Sequence, residues 1–185
     1  MEDIFVRRVI LYVKNVLLKV CANIKKKIMN NSIIGIGNAI IDVFVHVDDD
    51  FLNHNKLTKG SMKLLEKKEF EELKKNIKIE KIVAGGSVAN SMAGISFLDG
   101  NASFIGKISQ DEFGLIYKNN LQEAKVNFLY SEKKEPLATG ASIILITPDS
   151  ERTMCTYLGV SSKLSLEDIN ENNFLNKRLI RSEEH

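Results

Sequence analysis

The chain has 185 residues, 44% hydrophobic and 27% charged, with two prolines; this is the balance of about one folded domain and excludes a disordered tail, a collagen-like fibre and a disulfide miniprotein. Its two cysteines, Cys21 and Cys155, make neither a disulfide framework nor a zinc site, and no run approaches about 18 apolar residues, so the expectation is a reducing cytoplasm and no membrane span. The net charge of +2 hides a body at −3 with no basic clustering, which argues against a nucleic-acid partner.

The positive surplus belongs to residues 1–29, where Arg7, Arg8, Lys14, Lys19, Lys25, Lys26 and Lys27 face Glu2 and Asp3. Phe5, Val9, Val13, Val16 and Val20 recur at three- and four-residue steps. That pattern suits a basic amphipathic helix on an acidic membrane surface, but Lys14 and Lys19 break the apolar core that a signal peptide needs. The preferred reading is an extension outside the fold, with Met29 as an alternative start.

Residues 32–47 are rich in β-branched side chains and read as a strand, a Gly-containing bend and a second strand. Ser61–Leu65 is a short extended piece, and 66–78 is a helix with Phe70, Leu73 and Ile77 on one face. Lys81–Ala84 is a strand ending at Gly85-Gly86, followed by a helix of small apolar residues over 88–98. Ala102–Ile108 is a strand, 111–124 a helix with Asp111 as N-cap, and Val126–Tyr130 a strand. Ala141–Thr147 and Thr153–Val160 flank the turn Pro148-Asp149-Ser150-Glu151. Leu166–Asn170 starts a helix, and 171–185 is read as a polar tail. Alternation of strand and helix predicts an α/β fold with parallel pairing.

Four stretches carry polar chemistry. In Gly35–Asp42 a glycine bend places Asn38 and Asp42 where a carboxylate and an amide can bond a vicinal diol; a turn and a cap explain the same residues. In Ala84-Gly85-Gly86-Ser87-Val88-Ala89-Asn90, adjacent glycines open a helix whose amides suit ligand oxygens, and a tight strand-to-helix turn is the alternative. This is neither a Walker A loop nor a dinucleotide fingerprint. Gly106–Gly114 reads structurally, as strand end, helix cap and close packing at Gly114. In 139–158, alternation puts Met154, Thr156 and Leu158 on one face, a core face by default. Arg152 at its start is a surface arginine or a phosphate clamp. His46, His54 and His185 lack metal-ligand spacing, and Cys155 reads as core rather than nucleophile.

In this order the four stretches resemble the N-terminal half of the ribokinase-like (pfkB) carbohydrate kinase family, adenosine kinase branch, from about Ile33 to Ser162. The likeness rests on Gly37-Asn38-Ala39-Ile40-Ile41-Asp42, on Gly85–Asn90, on Asp111 with Phe113-Gly114, and on Thr139-Gly140. It implies an α/β fold, part of a doubly wound sheet with a small β-sheet lid, over residues 30–170. It implies ATP-dependent, Mg²⁺-assisted phosphoryl transfer to a nucleoside or sugar hydroxyl. Asn38, Asp42, Gly85, Gly86, Ser87 and Asn90 would hold the substrate. Ile40, Met62, Leu64, Met154, Thr156 and Leu158 would line pocket and lid, and Arg152 would face the phosphoryl groups. Val88 and Met92 depart from the family where small residues are common, and Ser109 replaces a frequent glycine. The family's Gly-Ala-Gly-Asp motif, source of the general base and the anion hole, is absent from the sequence. The expectation is a substrate-binding half, inactive alone. The alternative is a non-catalytic module that dimerises through the lid or pairs with a separate C-terminal half.

Overall fold

The computed structural model describes residues 32–131, 133–175, 177 and 179–182, so the basic extension lies outside the described residues. β1 (Ser32–Ile36) runs parallel to β5 (Asn101–Ile105) on one side and β9 (Leu179–Ser182) on the other, and β6 (Asn127–Phe128) extends the sheet beyond β5. The order is β6-β5-β1-β9. From Ala102 to Ile105 every β5 residue is buried, as a parallel strand covered on both faces requires.

The second sheet has the order β3-β8-β7-β2-β4. It contains β2 (Ile40–His46), β3 (Met62–Leu64), β4 (Lys81–Ala84), β7 (Gly140–Ile146) and β8 (Arg152–Tyr157). β2 is parallel to β7 and β3 to β8, whereas β2–β4 and β7–β8 are antiparallel. The parallel pairing expected from sequence thus holds throughout the first sheet and only in part of the second, whose neighbours β7 and β8 are joined by a tight turn. One face of this sheet buries Val43, Val45, Ile143, Leu145 and Cys155 in a core shared with Leu52, Phe70 and Leu73. Leu52 comes from α1 (Asp49–His54), and Phe70 and Leu73 from α2 (Lys67–Lys75).

α1 was not expected from the sequence. Asp48 caps it by accepting from Phe51 N at 2.8 Å, with Asp49 and Asp50 in its first turn. α2 opens on a reciprocal box between Glu66 and Glu69. α3 (Ser87–Phe97) packs on β1 and β5, and α4 (Glu112–Glu123) on β4 and β6. A Cβ at Gly35 would lie 2.5 Å from Val88 Cγ1 and 2.9 Å from Met92 Cγ. The absence of a side chain at 35 is therefore what lets these two bulky residues, both buried, lie directly on β1.

Three expectations are corrected at the C-terminal side. β5 ends at Ile105 rather than Ile108, and the chain leaves the sheet at Gly106, where a Cβ would press on the Gly37 carbonyl and the Phe104 ring. The helix expected at 166–170 is a single 3₁₀ turn, Leu166–Asp168, closed by Ser165 and Asp168. Part of the supposed polar tail, Leu179–Ser182, is the strand β9.

Candidate functional site

Between the two sheets lies an open cavity of about 960 Å³. Its geometry follows from strand register. Pairing aligns Asp42, Ser142, Thr156 and Leu64 in one row across the second sheet, and Ile144, Met154 and Met62 in the next. All seven line the cavity, with Ile40 and Leu158 at its side. Ser142 and Thr156 join their hydroxyls at 2.8 Å. The alternation read from the sequence therefore holds, but its face is the cavity face rather than the core.

The floor comes from the two glycine stretches. Gly37 N donates to Ile105 O at 3.1 Å, tying the β1–β2 bend to β5. Gly85 N donates to Ile40 O at 2.7 Å. Tyr117, fully buried on α4, donates its hydroxyl to Gly85 O at 3.3 Å, and Asn120 Oδ1 receives Ala84 N at 2.9 Å. Gly86 has φ +91°, and a Cβ there would lie 2.6 Å from Asn38 O. Gly85 is needed differently: its Cβ would fall on the Asp42 carboxylate. Gly86 is the N-cap of α3 and no side chain caps that helix, so its first amides stay open beside the cavity.

Asn38, Asp42, Gly86, Ser87 and Asn90 meet at this cavity. Among the described residues, the side chains of Asn38, Asp42, Ser87 and Asn90 make no hydrogen bond, so their donors and acceptors are free for a ligand. Burial pushes the Asp42 carboxyl up to about 6. Burial, and then the nearby Asp42 charge, raise the Tyr117 phenol above its ordinary range.

Two candidates from the sequence do not line the cavity. Gly85 lies behind Asp42 as its backing. Arg152 is exposed, on the cavity face of β8 but one row beyond Met154, opposite Ile146. Gly37, part of the glycine bend read from the sequence, lines it too; sequence reasoning did not single out Ile36, Ser142, Ile144, Ser161, Ser162 and Leu164, which also line it. Period-two alternation along β7 would have found Ser142 and Ile144; the last three belong to an irregular segment with no such signal.

Cys155 is fully buried and its thiol is pushed up to about 11 by burial, which fits a core residue. His46 bonds Glu80 and His54 bonds the Asp50 carbonyl, both away from the cavity. Among the described residues no group of three His, Cys, Asp or Glu could hold a metal ion, and no lysine or arginine lines the cavity. The residues present thus do not form a set that fits Mg²⁺ and a triphosphate. Among the described residues no helix is long and apolar enough to cross a membrane.

Comparison with known proteins agrees with this architecture. The adenosine kinase from Sinorhizobium meliloti superposes with a TM-score of 0.75 at 32% identity, over 83% of this chain and 47% of that one. A probable sugar kinase from Rhizobium etli CFN 42 gives 0.76 at 29% identity, over 83% and 47%. Adenosine kinase 2 of Arabidopsis thaliana is 27% identical over 136 residues, 70% of this chain and 39% of the relative. The chain thus spans about half the length, or less, of the proteins it matches, and within that span its fold is the ribokinase-like α/β fold that the four stretches implied. The pattern described as pfkB family carbohydrate kinase covers residues 58–182. With most of its length inside that pattern and its two sheets superposing on those kinases, the chain belongs to the pfkB carbohydrate kinase family.

Proposed function

We propose that this chain forms the acceptor-binding half of a nucleoside or sugar kinase. The observation that carries the reading is the convergence of Asn38, Asp42, Ser87 and Asn90, all without partners among the described residues, on one cavity that Ile40, Met62, Leu64, Met154 and Leu158 also line. An ionised Asp42 accepts from two adjacent sugar hydroxyls, while Asn38 and Asn90 each donate and accept. Ile40, Met62, Leu64, Met154 and Leu158 cover the flat apolar face of a nucleobase, which favours a nucleoside over a bare sugar. Gly85 and Gly86 set the approach of the backbone, Thr156 joins Ser142 on the polar row, and Arg152 is assigned to the phosphoryl side. ATP and Mg²⁺ are the co-substrate and cofactor of the proposed reaction in the complete fold, and no transfer step is derived through them from these residues.

Calorimetric titration of the 185-residue chain with adenosine, ribose and fructose tests this. Saturable binding is expected for adenosine, weakened about 10–100-fold in Asp42→Asn through loss of charge-assisted hydrogen bonds. Absence of saturable binding, or binding indifferent to Asp42→Asn, would overturn the reading.

A second reading, a non-catalytic binding or dimerisation module, draws on the edge strand β3, whose Met62 and Leu64 are exposed. Sedimentation equilibrium separates the two: a ligand-independent dimer without adenosine binding would favour the module.

A further inference from the structure

Outside the cavity lies a cluster of charges that the reading above does not use. Lys107 leaves the end of β5 and is only 7% exposed. Its Nζ lies 2.8 Å from Asp168 Oδ2 and 3.4 Å from Glu135 Oε1. The Asp168 side chain is 2% exposed, and its other oxygen receives Lys133 Nζ at 3.1 Å. Ser165 donates both N–H and O–H to Asp168 at 3.1 Å, and Tyr130 donates to Glu135 Oε1 at 2.9 Å. Three segments with no shared secondary structure are joined here: the exit of β5, the β6–β7 connection, and the chain after β8.

The cluster sits between two parts of the cavity wall. The residue before Lys107, Gly106, packs against the carbonyl of Gly37, a cavity residue. Asp168 follows Leu164 by four positions, and Leu164, Ser161 and Ser162 line the cavity. That segment holds little of its own structure. It consists of two short 3₁₀ turns, Gly159–Lys163, in which Ser161 Oγ and Ser162 Oγ donate to the carbonyls of Leu158 and Gly159, and Leu166–Asp168. Val160 N donating to Ala138 O at 2.9 Å holds its near end. At its far end Asp168 is fastened by the buried Lys107 at 2.8 Å and by the exposed Lys133 at 3.1 Å.

We infer that Lys107 and Asp168 are positioning residues, a buried ion-pair clasp that fixes segment 159–168 against the parallel sheet and so shapes the cavity wall carrying Ser161, Ser162 and Leu164. A buried pair is a weak source of net stability compared with apolar packing, but it is specific in geometry, and removing Lys107 leaves the buried Asp168 only the exposed Lys133 as a cation among the described residues. The charges at the clasp balance, Lys107 and Lys133 against Glu135 and Asp168. Burial alone would raise the Asp168 carboxyl, but Lys107, Lys133 and Ser165 outweigh it and hold the group well below the usual carboxylate range.

The ligand-dependent arm of the test rests on the acceptor-binding reading; the other arm does not. Amide hydrogen exchange of the 185-residue chain, without ligand, compares wild type with Lys107→Met, Lys107→Arg and the double variant Lys107→Met/Asp168→Asn. Faster exchange, by at least about tenfold, is expected over 159–168 in Lys107→Met, with 41–45 and 143–145 unchanged, because opening is local rather than global. Lys107→Arg restores protection, and the double variant, which leaves Lys133 and Glu135 balanced 3.9 Å apart, folds even if Lys107→Met does not. In that case the double variant is read alone and is expected to show the same loss confined to 159–168. Adenosine affinity should fall roughly 10–100-fold in Lys107→Met, the scale of a misplaced wall, and return in Lys107→Arg. Unchanged protection over 159–168, or a loss spread evenly through both sheets, would overturn the clasp. If wild type binds no adenosine, the acceptor-binding reading fails and the exchange pattern alone judges the clasp.

Discussion

Asp42 and Gly86 show how a single residue at this site sets folding against binding. The unfolded reference for Asp42 is 3.8 and burial pushes the folded value up to about 6, so between these values the folded state holds more protons. The sign follows: Asp42 favours the folded chain at acid pH, and its contribution is lost as pH rises from about 4 to about 6. Urea titrations at pH 4.5 and pH 7 should show the wild type losing stability relative to Asp42→Asn across that interval, with Asp42→Asn the more stable at pH 7. Ligand binding should run the other way, because the carboxylate is the better acceptor: adenosine affinity should fall below pH 6 in wild type and stay level in Asp42→Asn. Gly86→Ala meets both a positive φ and the Asn38 carbonyl at 2.6 Å. It is expected to cost about 1–3 kcal/mol in urea unfolding, and to displace Asn38 from the cavity in the same step.

At the scale of the element, Asp111 does more than end a helix. It accepts from Gly114 N at 2.8 Å as the cap of α4, and from Thr139 N at 2.8 Å and Thr139 Oγ1 at 2.7 Å at the entrance of β7. Thr139 Oγ1 in turn receives Ser109 N at 3.0 Å. Asp111→Ala should therefore cost about 2–3 kcal/mol, more than a cap alone, since charged hydrogen bonds to a buried threonine go with it; chemical denaturation measures it, and a loss below the ordinary cap value would show that the Thr139 bonds contribute nothing. The cap itself was legible in the sequence, because a cap is a local signal; the link to Thr139, 28 residues away, is tertiary and was not. The same division explains the rest. β1, β2, β4 and α2–α4 were readable from β-branched runs and helical spacing. α1 escaped because six residues carry too little periodicity, although Asp48 three positions before Phe51 was a visible cap. β9 escaped because only Leu179 and Ile180 mark it as a strand, and its pairing with β1 is set by contacts 146 residues apart. Met154, Thr156 and Leu158 were placed on the right face, but what that face meets depends on how the two sheets oppose one another.

For the whole molecule, the question is whether two sheets and a cavity suffice for phosphoryl transfer. Such transfer depends on positioning and on charge stabilisation around the moving group. Among the described residues the cavity walls offer one carboxylate, Asp42, and no lysine or arginine; Arg152, the basic candidate from the sequence, stands one row outside. Removing even one donor of an anion hole costs about 10²–10³ in rate, and the sequence has no Gly-Ala-Gly-Asp stretch to supply either the hole or the base. Binding and turnover should therefore separate in the 185-residue chain. Incubated with ATP, Mg²⁺ and adenosine, it should bind the nucleoside yet transfer no labelled phosphoryl group above the enzyme-free background. Adding a polypeptide that carries the Gly-Ala-Gly-Asp half of a family member should restore transfer only if it seats against the parallel sheet, where β9, exposed at all four residues, pairs with β1 alone among the described strands. Sustained turnover by the chain alone would show that its 185 residues suffice for catalysis, and would overturn this separation of binding from transfer.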